Sequence, residues 1–401
     1  MPHMSLASRR EYLQKVKKRY LQALKEDKAS MLDEYCANTT LNRKYVIRCL
    51  SPRFTILTKK KKEEKHPKKK SCVYTNKAVY YLNKIWKILD YPCGQRLKPM
   101  LAEMIAKLNQ FKELIVPEDA AEKLRRISST TIDVKLKTHK ATARRRFNTT
   151  TKPGSMLKSH IPIRTSSWEE KNPGYCELDT VAHCGDSAAG EFICSLTLTD
   201  MLTQWTEGVA VIGKAEGRIK EAITTAKNRL PFTIKAIDPD NGSEFINWQL
   251  YHYCEQEKIE FTRGRPYHKN DNAHVEQKNW TNVRRVFGYE RRESKAECDL
   301  MNELYDNELR LYKNFFQANL KLIDKRRTGT SGEKIKRMYD TAKTPYQRVL
   351  ECQTIAADEK EKLKKIYETL NPAALRRNIL IKLDRLRRLT RERKQNKPRN
   401  N

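Results

Sequence analysis

Three carboxylates in the middle of this 401-residue chain have the types and setting of a metal-binding set. The run YCELDTVAH alternates as a strand does, which puts Glu177 and Asp179 on one face. Asp240 lies just past a second strand, TIKAID, in the run IDPDNGSEF, where Asn241-Gly242 signals a turn. At the C-terminal end of a parallel strand functional sites collect. Glu276 sits in NDNAHVEQKNW near a helix start, on the stripe Glu276, Trp280, Val283, Phe287. That spacing turns the Glu276 carboxylate, and Trp280 as a core residue, toward the sheet.

An inward-facing glutamate without a partner is costly, and sharing a divalent ion with two aspartates offsets that cost. Mg2+ (or Mn2+) takes hard oxygen ligands from a few carboxylates, completed by phosphate and water. Two such ions about 3.5–4 Å apart stabilise both the attacking and the leaving oxygen of a phosphodiester displacement. No Ser/His/Asp or Cys/His arrangement in the sequence rivals this set. Asp238, two residues before Asp240, could be the metal ligand in its place, but the DNG context favours Asp240 and leaves Asp238 closing the strand end; Glu244 reads as the cap of the next helix. His183, Cys184 and His274 have no partners at metal spacing and read as structural. Arg263, Arg265, Tyr267, His268 and Lys269 interleave basic groups with an aromatic. Such a stretch suits a loop touching a nucleic-acid end, or equally an ordinary solvated loop. Lys278 and Arg284 extend the same candidate contacts onto the helix.

The elements that would position these residues follow from composition and pattern. Length alone suggests two or three domains. Lys and Arg number 82 against 49 Asp and Glu, a net charge of +33, which points to a polyanionic partner. Hydrophobic content of 38% falls below the roughly 45–50% of globular domains, so part of the chain is exposed basic surface or linker. The charge is segregated: residues 173–290 hold 13 basic and 17 acidic groups, whereas 1–172 carry a net +24 and 291–401 a net +13. An acidic centre between basic arms fits a metal site served by DNA-gripping flanks. No apolar run approaches the roughly 20 residues of a membrane span, the N-terminus lacks a signal-peptide core, and ten scattered cysteines form no C-x-x-C pair. Membrane, secreted and zinc-finger classes are set aside, and reduced thiols in a cytosol are the default expectation.

Residues 1–58 read as helices, with Lys28–Cys36, a turn at residues 37–40, and Asn42–Leu50 outlining a helix-turn-helix. Its second helix would offer Arg43, Lys44 and Arg48 to a major groove, although an ordinary helical hairpin has the same outline. Residues 59–73 are a lysine-rich linker. Residues 74–138 repeat the theme, with stripes Val79, Leu82, Ile85, Leu89 and Leu101, Met104, Ile105, Leu108. Ser128 then caps a second candidate recognition helix bearing Thr130, Lys135 and Lys137. Residues 139–172, with Arg144, Arg145 and Arg146, read as a connector. From 173 to 290 three consecutive strands precede an αβαβα run, which requires a mixed α/β sheet, antiparallel strands joined to parallel crossovers. Residues 291–401 read as basic and mainly helical: one helix over 296–323, turn-rich sequence over 324–349, and a last helix opened by Asn371-Pro372.

ELDTVAH, DNGSEF and HVEQKN, with 35 residues between Asp240 and Glu276, together resemble the integrase core of the DDE transposase and retroviral integrase superfamily. RTSSWEEKNPGYCELD, PYHKNDNAHVEQKN and AKTPYQR resemble a bacterial insertion-sequence transposase. The resemblance implies a ribonuclease-H-like core over 173–290, a mixed five-stranded sheet with helices, flanked by helix-turn-helix domains. It implies two divalent metal ions held by Asp179, Asp240 and Glu276, and two steps at one site: cleavage at the element's 3′ end by water, then attack of the freed 3′-hydroxyl on target DNA. The partners implied are double-stranded element ends and target, within a homodimer or larger synaptic complex. The chain departs from retroviral integrases in lacking their N-terminal His/His/Cys/Cys zinc domain.

Overall fold

Polar caps set the first helices of the computed structural model, which describes residues 4–52, 54, 73–140, 172–239, 242, 244–263, 278–328 and 334–396. The chain divides into two units, Met1–Cys72 and Val73–Asn401. In the first, Ser5 accepts from the Ser8 amide at 3.1 Å and opens α1 (Leu6–Gln22). Helix α2 (Lys25–Thr39) runs three residues past the expected Cys36, the Thr39 hydroxyl donating to the Tyr35 carbonyl at 2.6 Å. It stops where Thr40 adopts φ 57°, and α3 (Arg43–Leu50) starts after Asn42, whose side chain accepts from the Lys44 amide at 3.0 Å. Leu13, Val16, Leu32, Tyr35, Val46 and Leu50 form the core of this unit.

The second unit opens with α4 (Asn76–Ile88), α5 (Gly94–Leu97), a 3-10 turn (Lys98–Met100), α6 (Leu101–Gln110), α7 (Glu118–Arg126), α8 (Ser129–Lys135) and α9 (Lys137–Lys140). Leu82, Ile85 and Leu89, and then Leu101, Met104, Ile105 and Leu108, are buried as their periodicity requires. The Ser128 hydroxyl accepts from the Thr131 amide at 3.1 Å and caps α8.

Alternating sequence then builds β1 (Tyr175–Ala182), β2 (Ile193–Asp200) and β3 (Thr206–Ile212). Helix α10 (Glu216–Lys227) leads to β4 (Ala236–Pro239), and α11 (Trp248–Gln256) to β5 (Glu260–Phe261). The order is β3-β2-β1-β4-β5, with β1 antiparallel to β2, β2 to β3, and β4 parallel to both β1 and β5. This is the mixed five-stranded sheet that the order of elements requires. One face, through Cys176, Leu178, Leu196 and Leu198, packs on α10 and α11. The other, through Val181, Ile193 and Ala210, joins a larger cluster that also takes in residues from 78–136 and 283–386. The helical segments before and after the sheet therefore share one apolar core with it.

Edge strand β3 has its outer backbone groups answered by side chains. Asn302 brackets Ala210, accepting from its N–H at 2.8 Å and donating to its carbonyl at 2.9 Å. Asn314 does the same for Thr206, both at 3.0 Å. Such closure removes the edge as a template for stray pairing. At Gly208 the Tyr305 ring lies against the strand so closely that a Cβ would meet it at 2.5 Å.

A π-helical stretch, Asn279–Arg284, and a short α12 (Arg285–Phe287) follow. Sequence periodicity anticipates one helix over 296–323; instead α13 (Lys295–Asp306) and α14 (Glu308–Phe316) break at Asn307. The Asn307 side-chain amide donates to the Glu303 carbonyl at 3.0 Å, a local bond that competes with helix continuation. The stretch read as turn-rich holds instead the antiparallel hairpin β6 (Leu322–Thr328) and β7 (Lys334–Tyr339). The two runs, LIDKRRT and KIKRMY, carry no regular apolar alternation from which strands could be read. Helices α15 (Pro345–Glu351), α16 (Ala357–Thr369) and α17 (Pro372–Asn396) complete the chain, α17 capped by Asn371 as expected. Leu375, Ile379, Leu383 and Leu386 anchor α17, each burial worth about 1.5–3 kcal/mol. No helix among the described residues is long and apolar enough to cross a membrane.

Candidate active site

Asp179 stands just past the middle of β1, on the face turned toward the π-helical stretch. Its Oδ1 accepts from the Thr180 amide at 2.7 Å and its Oδ2 from the Asn279 side-chain amide at 2.5 Å. Asn279 in turn accepts from the Thr197 hydroxyl at 2.5 Å, and Thr197 is the residue paired with Asp179 across β1 and β2. This closed relay fixes the carboxylate against a residue 100 positions away. Asn279 is the site residue that reading the sequence missed, and its one sequence signal is its place three residues after Glu276.

Glu177, also on this face, pairs in register with Asp238 on β4, and both are fully buried. Asp238 accepts from the Thr262 hydroxyl at 2.8 Å. Asp240 and Glu276, with Arg144, Arg145, Arg146, Arg265 and Lys269, lie outside the described residues. Among the described residues no group of three or more His, Cys, Asp or Glu gathers as a metal site.

Glu244 does not cap the next helix. Asn247 does, accepting from the Leu250 amide at 2.8 Å. Glu244 instead accepts from the Thr180 hydroxyl at 2.7 Å and from the Lys214 ammonium. Burial by itself raises the Glu244 pKa, but Lys214 and Thr180 outweigh it and leave the carboxyl below its ordinary value.

Trp280 is not a core residue: 48% of it is exposed, while Val283 and Phe287 are buried. The reason is the π winding, whose i→i+5 bonds rotate the backbone away from the 3.6-residue stripe. The Lys313 ammonium donates to the Thr281 carbonyl at 3.0 Å within this stretch, and Asn279 holds its start. π turns inside helices are frequent at functional sites.

The candidate nucleic-acid contacts separate by burial. Lys278 is 5% exposed, its ammonium on the Gln204 carbonyl at 3.1 Å, and cannot reach a phosphate. Burial, then Arg96, Lys313 and Arg348, push its pKa well below the usual range. Arg263 is also buried, which lowers its pKa. Lys44, Arg48, Thr130 and Lys137 are exposed, as is Arg43, which pairs with Asp33; Lys135 is half-buried. Arg284 is half-buried with its guanidinium 4.5 Å from the Tyr289 ring centre; burial lowers its pKa, while Tyr289, Cys184, Cys194 and Asp179 pull it back up.

Arg284 and Trp280 line a groove of about 1040 Å³ that runs to α17, where exposed Arg387 and Lys394 complete it. Arg291 shapes the rim by donating to the Ser187 and Ala189 carbonyls, both at 2.7 Å. Arg292, 2% exposed, ties the floor to α17 through the Thr390 hydroxyl at 2.7 Å. His183, fully buried, has Nε2 2.9 Å from the Ser195 hydroxyl, which accepts from the Tyr305 hydroxyl at 2.8 Å. Burial, then Arg284 and Arg292, push the imidazole down to about 3, so it stays neutral and structural.

No family model matches the chain. Among solved structures, the catalytic core domain of BIV integrase is 16% identical, covering 44% of this chain and 94% of that one, with a TM-score of 0.30. The HTLV-2 integrase catalytic core domain in complex with magnesium is 14% identical, covering 37% and 90%, with a TM-score of 0.28. Likenesses of that size say nothing of activity. A relative in Sinorhizobium fredii (strain NBRC 101917 / NGR234), the uncharacterized protein y4rM, is 34% identical over 327 residues, which span 81% of this chain and 91% of the relative. Identity at that level over most of both sequences means that the chain belongs to the same family as y4rM.

Proposed function

We propose that the protein is a DDE-type transposase, binding the ends of a mobile DNA element and catalysing metal-dependent 3′-end cleavage and strand transfer. The observation that carries the reading is the Asn279–Asp179 hydrogen bond. Asn279 lies three residues after Glu276 in the sequence, and its bond fastens the chain at that point to the first aspartate. The strand register adds support: its last parallel pair, Leu178 and Pro239, immediately precedes Asp179 and Asp240 in the sequence.

Asp179, Asp240 and Glu276 would hold the divalent ions, and their hard oxygen donors fit Mg2+ or Mn2+. The described member fits as well, since Asp179 is half-exposed and two neutral donors, the Thr180 amide and the Asn279 side-chain amide, hold it. The bound ions would supply charge stabilisation at phosphorus and activate an attacking hydroxyl. The chain's own part is orientation. Thr180 and Asn279 aim the carboxylate, and Thr197 holds Asn279. Arg284, Arg387 and Lys394 offer the groove to a phosphate backbone, with exposed Trp280 as a face for a base. The helices α2–α3 and α7–α8 would recognise element ends, with two copies of the chain bringing two ends together.

The test is a labelled oligonucleotide carrying the element end, incubated with Mg2+ and target plasmid. Joined product that vanishes in Asp179→Asn is expected. Binding without cleavage overturns the reading in favour of a DNA-binding protein, and cleavage without joining in favour of a nuclease.

A further inference from the structure

Behind the π-helical stretch lies a small, partly open cavity of about 10 Å³, room for one particle of about water size. Every described residue lining it is polar or charged. Four cationic side chains reach it, Arg96 from α5, Lys278, Arg285 and Lys313, against one carboxylate, Asp90. Asp90 is already shared, with Arg285 at 3.4 Å and Arg376 at 2.8 Å.

Among the described residues, Arg96, Lys278 and Lys313 hydrogen-bond only to neutral acceptors. Arg96 donates to the Ala318 carbonyl and to the Asn319 side-chain oxygen, Lys278 to the Gln204 carbonyl, and Lys313 to the Thr281 carbonyl. Carbonyl dipoles satisfy hydrogen bonds but do not neutralise three clustered charges. Burial pushes the Lys313 ammonium down to about 8, with Arg285, Arg376 and Arg96 opposing the help it gets from Asp90. Buried charges in proteins are paired, or they neutralise.

We propose that this cavity binds a small monovalent inorganic anion of chloride size, held by Arg96, Lys278 and Lys313. The volume selects the class, because a phosphate group with its four oxygens needs several times this space. The anion supplies the missing counter-charge and braces the helix turn whose first residue, Asn279, holds Asp179. The site is independent of any nucleic-acid chemistry.

Full-length protein is melted in NaCl and in sodium gluconate at matched ionic strength, gluconate being too large to enter. Chloride is expected to raise the Tm saturably, by roughly 2–4 °C at a hundredfold excess over its Kd. Chloride-35 NMR should show excess line broadening that bromide competes away. Lys313→Gln should weaken chloride at least tenfold, and Arg96→Gln gives the same reading should the first variant fail to fold. Identical melting in the two salts with no excess broadening overturns the proposal. So does a chloride response unchanged in both variants, which would place the anion on the surface.

Discussion

Replacing Asn279 by alanine removes the contact on which the site depends. The lost bond runs to a carboxylate at 2.5 Å, and hydrogen bonds to charged groups are worth about 1.5–3 kcal/mol. The Thr197 hydroxyl, 1% exposed, loses its acceptor too but can fall back on the Asp179 carbonyl at 3.4 Å, so its penalty stays near the low end, about 1 kcal/mol. Asn279→Ala should then destabilise by about 2–4 kcal/mol in urea unfolding. A double-mutant cycle with Asp179→Ala isolates the pair, with an expected coupling above about 1 kcal/mol. Thr197→Val in the Asn279→Ala background should recover part of the loss, because the stranded hydroxyl disappears with it. A coupling below about 0.5 kcal/mol between Asn279 and Asp179 would refute the relay, since that is the scatter of independent sites.

Three further outcomes follow from the same geometry. The His183 pKa sits at about 3 in the fold and near 6.5 unfolded, so the unfolded chain binds the extra proton between those values and stability falls as pH drops through that window, by up to about 1.4 kcal/mol per pH unit. His183→Gln should flatten this slope in pH-dependent urea midpoints, and an unchanged slope would show that the ring is not buried neutral. Arg387→Ser with Lys394→Ser should weaken DNA binding and reduce the slope of log K against log salt by about 2, and an unaltered slope would remove the groove from the DNA path. Gly208→Ala drives a methyl into the Tyr305 ring and should cost about 1–3 kcal/mol, relieved by Tyr305→Leu; a neutral effect on thermal melting would contradict the close packing of α13 on β3.

Local chemistry was what the sequence made legible. Alternation located β1, β-rich composition located β2, and cap residues located helix starts at Ser128 and Asn371, because these signals depend on immediate neighbours. The mixed sheet followed from the order of elements. What escaped depends on distant partners. The π winding that exposes Trp280 contains the Thr281 carbonyl held by Lys313 and begins at Asn279 held by Asp179, bonds invisible to a helical wheel. Glu244 looked like a cap because only the fold brings Thr180 and Lys214 to it. Lys278 looked like a phosphate contact because its burial is set by α14 and the Gln204 turn. Of the three candidate metal ligands, the described one, Asp179, stands on the expected strand face, and its orienting partner lies where the sequence marked the third.

Diffraction from a crystal soaked in Mn2+, with anomalous peaks located, tests the metal-site assignment most directly. The account predicts manganese within about 2.5 Å of carboxylate oxygens of Asp179, Asp240 and Glu276, with the peaks lost in Asp179→Asn. Manganese bound by Glu177 and Asp238 instead, or nowhere near Asp179, would contradict it.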